Sequence, residues 1–204
     1  MKDANFNKLV LFVNALVPLS LLGWDAANAS LGANPIEFFL RTTGVLTLLF
    51  LVLTLAVTPL RKRFGWNGLI KYRRMLGLFA FFYGCVHLST YFIFDRSLNL
   101  SGTVADVVQR PFIAFGMTAF VLMVPLAITS TNGMIKRIGG KNWQKLHRLT
   151  YVAAAAGVVH FWMIVKSDVF YPAIFGAILV ILLGYRLVAG LQKRSAPRAR
   201  ASQV

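Results

Sequence analysis

The stretch that decides the fold is MLGLFAFFYGCVHLSTYFIF, residues 75–94, an apolar run in which His87 is the only side chain that ionises near neutral pH. A second stretch, LTYVAAAAGVVHFWMIV at residues 149–165, holds His160 in the same way. A helix of about 20 apolar residues is long enough to cross a bilayer. An ionisable side chain inside a bilayer is costly, so each histidine indicates a functional site.

Four further apolar runs accompany these two, and together they predict a membrane protein. Hydrophobic residues make up 57% of the 204 residues and charged residues only 14%, whereas soluble domains carry about a quarter. We therefore expect an all-α integral membrane fold, a six-helix bundle forming one transmembrane domain over residues 1–204, with a basic cytoplasmic tail at 192–204. The predicted spans are residues 9–24, 42–60, 75–94, 111–128, 149–165 and 169–191.

The basic residues are distributed unevenly between the two sides of the predicted bundle. With the N-terminus in the cytoplasm, 18 of the 22 Lys and Arg residues fall in cytoplasmic segments, and five of the six acidic residues fall outside. This positive-inside pattern predicts six spans with both termini cytoplasmic. The net charge of +16 then reflects orientation and contact with anionic membrane lipid, not nucleic-acid binding. Ala27-Asn28-Ala29 also imitates a signal cleavage site, and cleavage would leave five spans in the same orientation.

Haem is the cofactor that the two histidines suggest. His87 and His160 lie at matching depths on spans that run in the same direction, and each follows a glycine by three residues, Gly84 and Gly157. Imidazole is a common axial ligand of haem iron, and glycine leaves room beside a porphyrin. We therefore predict one haem b between the two rings. The alternative is that each histidine only donates a hydrogen bond to a neighbouring helix.

A third histidine, His147, lies thirteen residues before His160, or about 20 Å nearer the cytoplasm along a helix. In an ideal helix the two do not share a face, unless the helix bulges or begins after His147. His147 is then a candidate ligand of a second, inner haem, although the matching position in the third span is Arg74. The alternative is that His147 is an interfacial histidine in a basic loop. Arg73, Arg74 and Arg148 are candidate partners for its propionates, because guanidinium binds carboxylate bidentately. Their alternative role is orientation of the chain and contact with lipid.

Several segments resemble one known family along nearly the whole chain. These segments are Gly32-Ala33-Asn34-Pro35-Ile36-Glu37, Leu55-Ala56-Val57-Thr58-Pro59-Leu60, Arg73-Arg74-Met75-Leu76-Gly77, Thr129-Ser130-Thr131-Asn132-Gly133-Met134-Ile135 and Trp143-Gln144-Lys145-Leu146-His147-Arg148-Leu149. On these segments the chain resembles the haem-binding membrane subunits of bacterial periplasmic methionine-sulfoxide reductase systems, within the ferric-reductase-like transmembrane superfamily.

The resemblance implies an electron-transfer subunit of the bacterial inner membrane, not a complete catalyst. Electrons would come from the quinone pool or a cytosolic flavin reductase and pass through haem b to a periplasmic molybdopterin reductase, which repairs oxidised methionines. His87, His147 and His160 match the family's histidine positions, and the family is also described with FMN. The alternatives are a stand-alone ferric or cupric reductase, a histidine-based metal transporter and a membrane anchor.

Overall fold

A computed structural model describes residues 2–165 and 167–195, and every regular element in that part of the chain is helical. The all-helical membrane class predicted from the sequence is confirmed. A short 3₁₀ helix, Asn67–Lys71, precedes α3, and a π-helical turn, Tyr91–Asp95, follows it. The α-helices are α1 Lys2–Ala27, α2 Pro35–Phe64, α3 Arg73–Thr90, α4 Leu100–Gln109, α5 Pro111–Ile128, α6 Asn132–Ile138, α7 Gly140–Leu146, α8 Leu149–Ile164 and α9 Phe170–Ser195.

Five of these helices are long and apolar enough to cross a membrane: α1, α2, α3 with its π-helical turn, α5 and α9. The remaining predicted span, 149–165, forms α8, which has 16 residues and therefore a length of about 24 Å. The hydrocarbon core of a bilayer is about 30 Å thick, and α8 is shorter than this thickness. By length and composition, five helices are therefore candidate membrane spans and α8 is not one of them. The predicted basic tail at 192–204 overlaps the end of α9, and residues 196–204 lie outside the described part of the chain.

The ends of α2 are set by residues with strong local preferences. Asn34 caps the N-terminus by accepting a hydrogen bond from the Glu37 N–H at 3.2 Å, and Pro35 occupies the first helical position. Gly65 closes the C-terminus with a φ of 73°, a left-handed conformation that suits glycine. This 30-residue helix is the one against which α3 packs most extensively.

Three short helices, α4, α6 and α7, occupy segments that the hydropathy pattern leaves as connections. α4 begins where Asn99 accepts a hydrogen bond from the Gly102 N–H, and α6 begins where Thr131 accepts one from the Met134 N–H. Such side-chain caps satisfy backbone donors that a helix end leaves unpaired. Capped helices of this length carry little hydropathy signal, so span prediction does not detect them.

The bundle is organised around two helix pairs, α2 with α3 and α5 with α8. Phe50 of α2 stacks on Phe79 and Tyr83 of α3, with ring centroids 5.6 and 5.5 Å apart. Each aromatic pair of this kind stabilises the contact by about 0.5–1.5 kcal/mol. On α8, Ala153 and Ala154 are completely buried, and such small side chains allow helices to approach closely. The two pairs bring the histidines of α3 and α8 together.

Candidate haem site

His87 on α3 lies against α2. Its Nδ1–H donates to the backbone carbonyl of Leu40 at 3.0 Å, and Thr43 Oγ1 lies 3.4 Å from the same nitrogen. Since a carbonyl can only accept, this bond identifies Nδ1 as the protonated nitrogen and leaves the Nε2 lone pair for a metal. Gly44 lies beneath the ring, where a Cβ atom would come within 3.2 Å of His87 Cε1.

His160 on α8 lies against α5 in the same manner. Its Nδ1–H donates to the backbone carbonyl of Phe112 at 2.5 Å. A Cβ atom on Gly116 would lie 2.8 Å from both Cε1 and Nδ1 of the ring, closer than real contacts allow. The Nε2 of His160 is therefore also the nitrogen available to a metal.

The two rings approach one another across the bundle, with centroids 6.2 Å apart and planes nearly perpendicular at 87°. A metal–imidazole bond is about 2.0 Å long and the ligating nitrogen lies about 1.2 Å from its ring centre, so two axial imidazoles on one iron have centroids about 6.4 Å apart. The observed separation therefore fits a single iron bound between His87 and His160. Within residues 2–165 and 167–195, no three His, Cys, Asp or Glu side chains converge as they would around a bare metal ion.

Gly84 and Gly157, predicted to leave room beside a porphyrin, instead lie against neighbouring helices. A Cβ atom on Gly84 would meet Met123 Cε at 3.2 Å, and one on Gly157 would meet Leu48 Cδ1 at 3.4 Å. Both contacts are with side chains of neighbouring helices. Gly84 and Gly157 are thus close-packing positions in the structure, whereas Gly44 and Gly116, which the sequence analysis did not single out, lie against the imidazoles.

His147 is the C-cap of α7, and α8 begins only at Leu149. His147 therefore precedes the regular helix that carries His160. This is one of the two arrangements in which His147 and His160 need not lie on different faces of one ideal helix. Its Nδ1–H donates to the Trp143 carbonyl at 3.0 Å, and its ring stacks on the Trp143 indole at 3.8 Å. Ser130 Oγ lies 3.4 Å from Nε2.

The environment of His147 favours its neutral form. Burial lowers the pKa of this imidazole below its ordinary value and the charge of Arg73 lowers it further, while hydrogen bonds to the backbone at Trp143 and Leu126 oppose that effect. A neutral imidazole has one nitrogen with a free lone pair, which metal ligation requires.

His147 lines an inner cavity of about 320 Å³, within the size range of small-molecule sites. Its lining includes three cations, Lys71, Arg73 and Arg74. Arg74 Nη1 donates to Asn132 Oδ1 at 2.5 Å, which ties α3 to the start of α6. Arg148, the other predicted propionate partner, is exposed and is not among the cavity-lining residues. The structure thus groups Arg73 and Arg74 with His147 and leaves Arg148 apart.

Two residues of this inner site, Trp143 and Asn132, were not predicted as site residues from the sequence. Trp143 donates from Nε1 to the Thr129 carbonyl at 2.9 Å as well as stacking on His147. Asn132, which forms part of an Asn-Gly turn signal, supplies the acceptor for Arg74. Both residues lie in the segments that carry the family resemblance. That resemblance was the only feature of the sequence that could have linked them to the site.

An outer crevice lies near the other end of the bundle. It has a volume of about 460 Å³ and is lined by Asn34, Ile36, Glu37, Leu40, Phe94 and Asp95. Leu40 is the residue whose carbonyl accepts the His87 hydrogen bond. The crevice is therefore lined by the residue whose backbone orients His87.

Comparison with known proteins gives consistent matches over most of the chain. The family described as ferric reductase like transmembrane component matches residues 42–158. Proteins named protein-methionine-sulfoxide reductase heme-binding subunit MsrQ are similar over nearly their whole length. The one from Herminiimonas arsenicoxydans is 54% identical over 95% of this chain and 90% of its own. The one from Rhodospirillum rubrum is 46% identical over 98% of this chain and 96% of its own.

Proposed function

Because this chain belongs to the family of haem-binding subunits of protein-methionine-sulfoxide reductase, within the ferric-reductase-like transmembrane proteins, we propose that it is a transmembrane b-type cytochrome. His87 and His160 hold the haem iron from opposite sides. The observation that carries this proposal is the 6.2 Å separation of two imidazoles whose Nδ1–H groups both donate to backbone carbonyls.

Haem b, when bound, supplies one-electron transfer. The residues around it provide the conditions for that transfer. Each carbonyl bond fixes the tautomer of its histidine and makes the ring a stronger donor to a metal. Because both rings are anchored to the backbone of rigid helices, the ligands need little rearrangement when the iron changes its charge.

A second, inner haem is part of the same proposal. His147 is its histidine ligand, and the inner cavity supplies Arg73 and Arg74 for the propionates. Among the residues that line the cavity, His147 is the only histidine, and Arg74 occupies the position that would hold the fourth histidine in superfamily members with two haems. Arg148 has a weaker claim to a propionate, since it lies outside the lining.

The electron route follows from the orientation of the chain. Electrons enter at the basic cytoplasmic side, from the quinone pool or a cytosolic flavin reductase, and leave at the outer side to a periplasmic molybdopterin reductase. The relatives' names support a reductase of protein methionine sulfoxide as the acceptor. FMN enters the proposal through the family resemblance alone, since no flavin-binding motif occurs in the sequence.

The proposed topology has six crossings of the bacterial inner membrane and two cytoplasmic termini. α8 is the crossing that falls short by length, and its support comes from charge. A cluster of Lys and Arg precedes α8, and the acidic Asp168 lies between α8 and α9. A helix of 16 residues can cross if the bilayer thins locally around it.

The experiment is a dithionite-reduced minus oxidised spectrum of the purified protein, with haem counted per chain. We expect sharp low-spin α and Soret bands, lost in His87→Ala and His160→Ala and partly retained in His147→Ala. Ser89→Ala is the matched control, because Ser89 is exposed on the same helix as His87. A folded wild-type protein without haem bands would overturn the proposal in favour of a metal transporter or a membrane anchor.

The acceptor is tested separately. Reconstituted with a reduced quinone or a flavin reductase, the haem protein should reduce its periplasmic partner faster than it reduces ferric or cupric chelates. Faster reduction of the chelates would assign a stand-alone metal reductase instead. Loss of both activities in His87→Ala, with a retained fold, would tie either one to the haem.

A further inference from the structure

His87 and His160 each contact a backbone carbonyl and a glycine on the neighbouring helix, in the same arrangement. On α2, the carbonyl of Leu40 accepts from His87 and Gly44 lies under the ring. On α5, the carbonyl of Phe112 accepts from His160 and Gly116 lies under the ring. We call each combination of a carbonyl with the glycine four residues later an imidazole seat: Leu40 with Gly44, and Phe112 with Gly116.

The spacing of four residues has a direct geometric reason. Residues i and i+4 lie one above the other on the same face of a helix, so the carbonyl and the glycine meet the same ring. The carbonyl holds Nδ1 while the bare Cα of the glycine lets the ring lie on the helix surface. An alanine methyl would come within 3.2 Å of His87 Cε1 at position 44, and within 2.8 Å of two His160 ring atoms at position 116.

The two histidine helices share a sequence pattern, and the seats extend that correspondence to the helices packed against them. Gly84-x-x-His87 on α3 corresponds to Gly157-x-x-His160 on α8. The helix packed most extensively against each histidine helix carries the matching seat, α2 for α3 and α5 for α8. The unit that repeats is therefore a pair of helices, one with the ligand and one with its seat.

We infer that Gly44 and Gly116 are positioning residues that hold the two axial imidazoles with their planes crossed, and thereby set the ligand field and reduction potential of the haem. The inference rests on the proposed bis-histidine cytochrome. The crossed arrangement is the observed 87° between the ring planes. Neither glycine touches the iron, and each acts through the histidine that lies on it.

Two consequences follow from the chemistry of axial ligands. Crossed imidazole planes give low-spin ferric haem an EPR spectrum with strong g anisotropy, whereas parallel planes give a weaker one. A hydrogen bond from Nδ1–H to a carbonyl makes the ring more electron-donating and favours the ferric state. Displacing a ring from its seat should therefore lower the largest g value and raise the midpoint potential.

The test compares Gly116→Ala and Gly44→Ala with Gly176→Ala as the matched control. Gly176 is a helical glycine on α9, where a Cβ atom would make only an ordinary 3.6 Å contact with Val158. Haem per chain, low-temperature EPR of the ferric protein and the midpoint potential are measured on each. We expect shifts in both seat variants, larger for Gly116→Ala because its contact is closer, and none in Gly176→Ala.

The outcomes separate this inference from the proposed function. Wild type without haem would refute the cytochrome itself. Seat variants with full haem and wild-type g values and potential would refute the inference while leaving the cytochrome intact. If Gly116→Ala fails to fold, Gly44→Ala decides in the same way, because its 3.2 Å contact requires only a small displacement of the ring.

Discussion

Arg186 on α9 donates from Nη2 to the backbone carbonyl of Leu55 on α2 at 2.7 Å. That carbonyl precedes Pro59 by four residues, and proline has no N–H with which to complete the helical bond. The same arginine donates from Nη1 to the Tyr151 hydroxyl on α8 at 2.7 Å. One side chain thus joins three helices where a proline leaves a buried carbonyl without its helical partner.

This relationship predicts a coupling between Arg186 and Pro59. Pro59→Ala restores the N–H that pairs with the Leu55 carbonyl, so Arg186→Met should then leave no unpaired acceptor. We expect Arg186→Met to reduce the free energy of unfolding by about 1 kcal/mol less in the Pro59→Ala background than in wild type. SDS-induced unfolding of all four proteins measures the difference. An interaction energy near zero would show that the arginine does not stabilise this carbonyl.

The outer end of the bundle depends on Asp106 of α4. Its carboxylate accepts from the Tyr91 hydroxyl at 2.6 Å and pairs with Arg96 and with Arg110, while its side chain is only 9% exposed. Asp106→Asn removes the counter-charge of Arg110 and one of the two carboxylates paired with Arg96, and should lower the free energy of unfolding by about 2 kcal/mol. The matched control is Asp95→Asn. Asp95 pairs with Arg96 at 3.6 Å but is 44% exposed, so its loss should cost about 0–1 kcal/mol.

Thermal unfolding in detergent checks both aspartates. Equal destabilisation by the two substitutions would contradict the assignment of Asp106 as the residue that fastens α4 to the end of α3. If Asp106→Asn keeps the wild-type haem spectrum at low temperature, Asp106 stabilises the fold and does not affect haem ligation.

Two arginines proposed for the inner propionates should behave differently. Both side chains are exposed, but Arg74 lines the inner cavity and is bonded to Asn132, whereas Arg148 lies outside the lining. Arg74→Gln should reduce the occupancy of an inner haem several-fold, since an exposed charge pair contributes at most about 1 kcal/mol. Arg148→Gln should leave occupancy within about twofold, because Arg148 does not line the cavity. Haem per chain and the redox titration of the inner component measure both, and the reverse order would assign the propionates to Arg148.

Trp143 has two separable contributions to the inner site. Trp143→Phe removes the Nε1–H donor to Thr129 but keeps an aromatic ring beside His147, so we expect a stability loss of about 1 kcal/mol and an unchanged inner haem spectrum. Trp143→Leu removes the stacking partner as well and should alter the spectrum attributed to His147. Unfolding and redox spectra of the two variants measure these effects. Identical spectra in both variants would show that stacking does not orient the imidazole.

Most of the membrane architecture was predictable because the cost of placing a side chain in lipid is a property of each local segment. The apolar runs located α1, α2, α3, α5 and α9, and the fourth predicted span coincides with α5 at both ends. The connecting helices α4, α6 and α7 were not predicted. They are short and lie outside the apolar runs, and the side-chain caps that begin α4 and α6 leave no hydropathy signal.

The candidate site was predictable only in part. His87 and His160 were identifiable because an ionisable group in an apolar run is conspicuous, and the structure places their rings 6.2 Å apart. Gly44 and Gly116 were not, because a glycine in a membrane helix is common and its partner lies more than forty residues away in the chain. The same limit explains why Gly84 and Gly157 were interpreted as clearance for a porphyrin.

By itself, the sequence determined that this chain is a helical membrane protein and which histidines are candidate ligands, and its charge distribution predicts which side the basic loops occupy. These properties follow from composition and spacing along single segments. The tertiary structure alone decided which nitrogen of each imidazole is held by the backbone, that the ring planes cross at 87°, and that His147 precedes α8. Those features arise from contacts between helices, whose packing no single segment specifies.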